Sequence, residues 1–427
     1  MYRKGIIDME HTSHTPVSDI NNEIHQKRWA IVALSSIPLI MTLGNSMLIP
    51  VLPLMEDKLG ISKVQSSYII TFYSIVAIIL IPIAGFLSDR YGRKRIIIPS
   101  LIVAGIGGLL SAYAAWQMKN PYTFILIGRT LQGVGTAGAA PIVLPLVGDM
   151  FHRDRDVSAT LGMIETSNTF GKVLSPILGS ILAGFIWFLP FAAIPVFCLI
   201  SVLSVAFLVK KPAHDKQGPD VKTFIQNTKE VFRVHYRWLS AVFAIGAIVM
   251  FILFAVLFYL STNLEDQFQF HGVRKGFVLA VPLAALCLSS YITGKLIKEN
   301  MVLMKWIIFS STIIIGASVL IISFSDRFLY LMSIFLICGI GIGASLPPLD
   351  ALINQSIEKE CRGTISSIYS SMRYIGVAGG PLFMAYFMKQ SLIISLIIMA
   401  GLSLVAAGLT FLAVKPEQTE ARAQSPT

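Results

Sequence analysis

Long apolar stretches alternate with short polar ones along this chain of 427 residues. A helix crosses the hydrocarbon core of a bilayer with about 20 predominantly apolar residues. Charge-free runs of that order recur at 29–55, 64–88, 96–118, 238–264, 276–294, 306–325, 328–349 and 390–414. The run 173–209 is too long for one crossing. It breaks at "FIWFLPF" (185–191), giving the end of one helix and all of the next. Two further spans carry one arginine each, Arg129 and Arg373. The pattern predicts an all-α membrane protein with twelve transmembrane helices, the fifth of which contains both Glu165 and Lys172.

Composition agrees with the pattern. The chain is 55% hydrophobic and 13% charged, whereas soluble domains carry about 25% charged residues. Its net charge of +11 would raise the question of nucleic acid in a soluble protein, but topology accounts for it here. With both termini in the cytosol, 24 lysines and arginines fall in inner loops and tails and seven outside, among them Arg274 and Lys275. That is the bias of a multi-pass plasma-membrane protein, with no nucleic-acid partner. Cys198, Cys287, Cys338 and Cys361 are scattered singly, without a CxxC pair, so neither a disulfide framework, a metal site nor a cofactor is expected.

The polar segment 210–237 divides the chain into two sets of six helices, 29–209 and 238–414, flanked by cytosolic tails at 1–28 and 415–427. Tails and central segment read as solvated linkers. The halves also echo each other. "GVGTAGAAP" (133–141) has a counterpart in "GIGIGASLP" (339–347), and "GKVLSP" (171–176) in "GVAGGP" (376–381). "GFLSDRYG" (85–92) has a degraded partner in "GKLIKEN" (294–300). A duplicated unit predicts two pseudo-symmetric bundles with a substrate site between them near the membrane midplane.

Four stretches of the first half carry chemistry. In "GFLSDRYGRKR" (85–95), Gly85 and Gly92 permit a tight turn, Asp89 accepts hydrogen bonds, and Arg90, Arg93, Lys94 and Arg95 face an anionic leaflet. A plain positive-inside loop would explain the bases but not the Gly–Asp–Gly frame. "GRTLQGVGTAGAAP" (128–141) sets Arg129 and Gln132 beside a smooth glycine face. "LGNSMLIPVLP" (43–53) includes Asn45 and closes the first helix with two prolines, and "GMIETSNTFGKVLSPILGS" (162–180) forms the fifth.

Together these stretches resemble the major facilitator superfamily, and within it the twelve-helix drug:proton antiporters. The inner loop matches that family's G-x-L-x-D-R-x-G-R-K, and helix 4 its R-x-x-Q-G-x-G. Helix 1 fits L-G-x5-P-V-x-P at Leu43, Gly44, Pro50, Val51 and Pro53. Helix 5 fits G-x8-G-x3-G-P-x2-G-G at Gly162, Gly171, Pro176 and Gly179, with Ser175 and Ser180 replacing two glycines. Gly376, Gly380 and Pro381 repeat the packing motif in helix 11. The resemblance implies rocker-like exchange of inward and outward states, helices 3, 6, 9 and 12 on the lipid side, and a conformational-switch role for the Asp89 loop. Those four spans hold no Lys, Arg, Asp or Glu.

Buried charges fall instead in helices 4, 5, 10 and 11: Arg129, Glu165, Lys172, Asp350 and Arg373. Charges inside a membrane normally face a bundle interior or a watery cavity. Glu165 and Lys172 are seven residues apart, on one helical face and separated by a rise of about 10 Å, so they share a stripe with Asn168 without forming a direct pair. Each could be a structural ion paired with another helix. Alternatively Glu165 carries the coupling proton, since a carboxylate in a low-dielectric seam holds its proton more tightly than in water. Asp350, near the inner end of helix 10, is the second candidate for that role. Arg129 cannot deprotonate. It either tunes a carboxylate in the proton path, as the resemblance implies, or anchors helices through hydrogen bonds. Lys172, Asn168, Arg373, Gln132 and Asn45 are the candidate cavity residues.

The expected function is a proton-coupled exporter (antiporter) of amphipathic small molecules, of the drug or multidrug efflux type, working as a single chain. Three bases against two acids in the spans point to an anionic or zwitterionic solute. The alternatives are a dedicated exporter of a cell-made metabolite such as a siderophore, and an uptake symporter. An embedded enzyme lacks support, because no HExxH, paired-Asp motif or Ser/His set lies in the spans. His11, His14, His25, His152, His214, His235 and His271 all lie in tails or loops. If Asp89 stabilises one of two states, Asp89→Asn lowers transport while expression and ligand binding stay near wild type; wild-type turnover in that variant contradicts the role.

Overall fold

The structure, a computed structural model, describes residues 27–151, 154–209, 221–297, 300–357 and 359–414. The tails at 1–26 and 415–427 and the segment 210–220 lie outside them. Among the described residues the chain is helical, without strands. In chain order the helices are α1 (Arg28–Ser46), α2 (Leu52–Leu59), α3 (Lys63–Tyr91), α4 (Arg93–Gln117), α5 (Tyr122–Ala137), α6 (Val143–Met150) and α7 (Asp154–Phe185). They continue with α8 (Leu189–Leu208), α9 (Val221–Asp266), α10 (Gly272–Ile297), α11 (Met301–Ile321), α12 (Phe328–Ser356), α13 (Lys359–Phe387) and α14 (Leu392–Ala413). A 3-10 turn at Ile49–Val51 links α1 to α2 where Pro50 removes a backbone donor. Residues 221–237, which read as linker, are the helical start of α9.

Nine helices among the described residues are long and apolar enough to cross a membrane. Their outward faces carry large apolar side chains such as Trp116, Leu199, Phe207, Leu404 and Leu412, and only lipid satisfies such a surface. The chain is a multi-pass membrane protein. Local chemistry punctuates its helices. Ser62 and Gln65 form a reciprocal capping box at the start of α3. At the turn into α4, Gly92 has φ 97°, which glycine adopts without the steric cost a side chain would bring.

Two seams join the halves of the chain: α3 packs on α13, and α7 on α10. In the first, Thr71 Oγ1 donates to Ala378 O at 2.9 Å, Ser371 Oγ donates to Ile78 O, and Gly85 faces Ser367. In the second, Gly276 lies against the Pro176 carbonyl and Ser180. The extra bulk of Ser180, where the family pattern has glycine, is therefore met by a glycine on the partner helix. Within each half the repeated motif performs the same task. Gly171 and Gly179 bring α7 against Leu39, Thr42 and Met47 of the first helical segment, and Gly376 and Gly380 bring α13 against Ala247, Phe251 and Ala255 of α9. Small residues let membrane helices approach until their backbones touch. Gly162 differs, with open space around the position of a Cβ.

Lys275 is a correction. Counted as an outer-loop base, it lies inside α10 and is buried, its Nζ 2.5 Å from Glu265 Oε2 at the end of α9. At the same end of the molecule Lys63 meets Asp266 at 2.6 Å across the two halves, and Ser261 Oγ donates to Ile49 O at 3.1 Å. The basic residue flanks an apolar run, so sequence placed it in a loop, and its acid partner only appears once α9 and α10 are apposed.

A Cβ at Gly376 would press on the backbone of α9, whereas Gly408 of α14 has nothing within 4 Å. Gly376→Val is expected to destabilise by about 1–3 kcal/mol and Gly408→Val to be near neutral, read by thermal unfolding in detergent. Equal losses would remove the close-packing account of the motif.

Candidate functional site

The interior charges fall into three arrangements. Arg129 is fully buried on α5 and reaches neutral acceptors only. Its Nε donates to Ile69 O at 2.7 Å, one terminal nitrogen donates to Gly44 O at 3.0 Å and to Gln132 Oε1, and the other donates to Asn45 Oδ1 at 2.6 Å. The guanidinium also lies 4.5 Å from the centre of the Tyr73 ring, and Thr136 Oγ1 donates to the Tyr73 hydroxyl at 2.9 Å. The planar fork of arginine suits such a spread of acceptors, so one side chain ties together α1, α3 and α5. Among the described residues no carboxylate is within ion-pair distance of it.

Asp350 on α12 and Arg373 on α13 form an ion pair at 3.2 Å. Arg373 also sits 5.6 Å above the Tyr369 ring. The Tyr369 hydroxyl faces the Asp350 carboxylate but makes no hydrogen bond of normal geometry among the described residues. Glu165 on α7 accepts from Asn168 Nδ2 at 3.2 and 3.3 Å. Thr42 of α1 orients that amide by donating to Asn168 Oδ1 at 2.5 Å.

Lys172 stands between these groups and an apolar cavity. Glu165, Arg373 and Asp350 are within electrostatic range of it, yet its Nζ is buried without a hydrogen-bond partner among the described residues. It lines a narrow cavity together with Ser46, Ile49, Pro50 and Pro176 from the first half and Leu253, Phe254, Leu257, Leu279 and Leu283 from the second. Glu165, Asp350 and Arg373 thus gather around Lys172, which alone of the four lines the cavity, while Arg129, Gln132 and Asn45 form a separate knot.

The Asp89 loop lies apart from both. Asp89 accepts from Arg93 at 2.5 Å, Arg93 Nε donates to Asp149 Oδ2 at 2.7 Å, and Arg93 also reaches Ser88 Oγ at 3.2 Å. This clasp binds the ends of α3, α4 and α6. Asp149 was missed in the sequence because nothing local marks it; only the fold brings it to Arg93.

A helical membrane protein with a cavity between two halves, bordered by one buried lysine, has the architecture of a solute carrier. The chain belongs to the Major Facilitator Superfamily, whose family model matches residues 34–381 and, again, 305–427. It is 53% identical to the bacillibactin exporter of Bacillus subtilis (strain 168) over 391 residues, 91% of this chain and 97% of that protein. It is 28% identical over 358 residues to the multidrug resistance protein MdtG of Escherichia coli O9:H4 (strain HS), 79% of this chain and 82% of that one. Among solved structures, a bacterial homolog of the human lysosomal transporter Spinster, inward-facing and occupied, matches with a TM-score of 0.74 at 15% identity. That match covers 94% of this chain and 99% of the other. It shows the fold.

Removing Arg129 would strand several buried acceptors at a cost of about 1–3 kcal/mol each. Arg129→Met is therefore expected to lower the unfolding temperature sharply, and Arg129→Lys to recover little. A stable Arg129→Met variant that loses only proton coupling would instead put the residue in the proton path.

Proposed function

We propose that this chain is a proton-coupled exporter of a siderophore-type metabolite made by the cell, of which bacillibactin is the first candidate. The observation that carries this is 53% identity to the bacillibactin exporter along nearly the whole of both chains. Multidrug efflux, the expectation from the motifs alone, has weaker support, since the multidrug relative is 28% identical. The reading therefore moves to the alternative of a dedicated metabolite exporter.

The architecture we propose has twelve spans in two six-helix bundles, with both termini in the cytosol. Beyond the nine apolar helices, the other three spans are α5 with α6, α7, and α13. These are the helices that carry Arg129, Glu165 with Lys172, and Arg373. Interior charge keeps their hydropathy low, as expected of helices that face a cavity. Glu165 is the proposed proton carrier and Asp350 the second candidate. Asp350 is tied to Arg373, whereas Glu165 is held by the neutral amide of Asn168, so protonating Glu165 breaks no ion pair. The clasp of Asp89, Arg93 and Asp149 would steady one of the two conformations, with Gly85, Arg90 and Gly92 completing the motif around it.

The test uses inverted membrane vesicles with an imposed proton gradient. Bacillibactin is expected to accumulate with proton release, while ethidium is not transported. Glu165→Gln should abolish gradient-driven accumulation but retain exchange of labelled for unlabelled substrate. Ethidium transport without bacillibactin transport would contradict the proposal.

A further inference from the structure

Among the described residues, each interior cation has a partner except one. Arg129 is spread over carbonyl and amide oxygens, Arg373 is paired with Asp350, and Lys275 is paired with Glu265. Lys172 is only 8% exposed and its Nζ has no hydrogen-bond partner among the described residues. Glu165 is on the same helical face, but about 10 Å along the axis. A buried ammonium left without a partner is costly, and close packing against Thr42 and Met47 around Gly171 and Gly179 leaves this helix no freedom to roll the amine toward lipid.

Lys172 borders the cavity between the halves. Apart from Lys172 and Ser46 the lining is apolar, with Leu253, Phe254 and Leu257 on one wall and Pro176 on another. A single cation in an otherwise apolar wall fits a solute with one acidic group on an apolar or aromatic body. It also disfavours a cationic solute, whose charge would meet Lys172 with no carboxylate in the cavity lining.

From this we infer that Lys172 is the anion-binding residue of the transport cavity, its ammonium taking the acidic oxygen of an organic anion, a carboxylate or phenolate. The body of that anion packs against Phe254, Leu257 and Pro176. The inference rests on the exporter reading and names the substrate class of the same site. With the anion in place the ammonium gains a charge-assisted partner in a dry environment, where such pairing is strongest.

The test is equilibrium binding to purified full-length protein, using 1-naphthoate and its neutral counterpart 1-naphthamide. The wild type is expected to prefer naphthoate by about tenfold or more. Lys172→Met should erase the preference while leaving naphthamide binding and thermal stability intact, and Lys172→Arg should keep it. No naphthoate binding by the wild type, equal affinity for both probes, or a preference that survives in Lys172→Met overturns the inference. Parallel loss of naphthamide binding and stability also overturns it, because that marks a structural lysine. A measurement on the wild type covers a variant that does not fold. Cys287 on α10 is within electrostatic range of Lys172, so naphthoate but not naphthamide should slow its alkylation, followed by mass spectrometry; equal or absent protection counts against the site. No gradient is used, so a failure of export and a failure of anion binding are told apart.

Discussion

A charge held in hydrocarbon must find a partner, and the organisation of this molecule follows from how each one does so. Arg129 meets the requirement with neutral oxygens and so ties three helices into one knot. Asp350 and Arg373 meet it with each other and thereby join α12 to α13. Glu265 and Lys275 do the same at the end of the molecule where Lys63 meets Asp266. Glu165 and Lys172 stay loosely satisfied, and both lie on α7, one of the helices that pack across the two halves.

Backbone contact is what allows this arrangement to work as a machine. The glycines of α7 and α13 bring each helix against the first helix of its own half, and Gly276 lets α10 approach α7 across the divide. Under the proposed function, halves packed this closely would move as bodies, with the cavity between them changing its access. The Arg93 clasp fastens three helix ends within one half, which suits a device that steadies a state more than one that touches a solute.

Much of this was legible in the sequence because the relevant signals are local. Charge-free runs mark helices by length alone, and the Gly–Asp–Gly frame with its arginines marks the clasp. The seven-residue spacing puts Glu165 and Lys172 on one stripe. What sequence could not supply was the identity of partners brought from elsewhere in the chain. Lys275 reads as a loop base until α9 supplies Glu265, Asp149 reads as an ordinary helix-end acid until Arg93 reaches it, and Ser180 reads as excess bulk until Gly276 faces it. The balance of three bases against two acids also changes meaning. With Arg129 held by neutral groups and Arg373 by Asp350, the question of solute charge narrows to Lys172.

The central claim is that Lys172 lacks a partner because its partner is the solute. Electron cryo-microscopy of the protein with bacillibactin bound tests it most directly. The account predicts an acidic oxygen of the ligand within hydrogen-bond distance of Lys172 Nζ, with the Asp350–Arg373 pair intact. A ligand whose acidic oxygens sit on Arg373, or outside the cavity, with Lys172 still unpartnered, would contradict it.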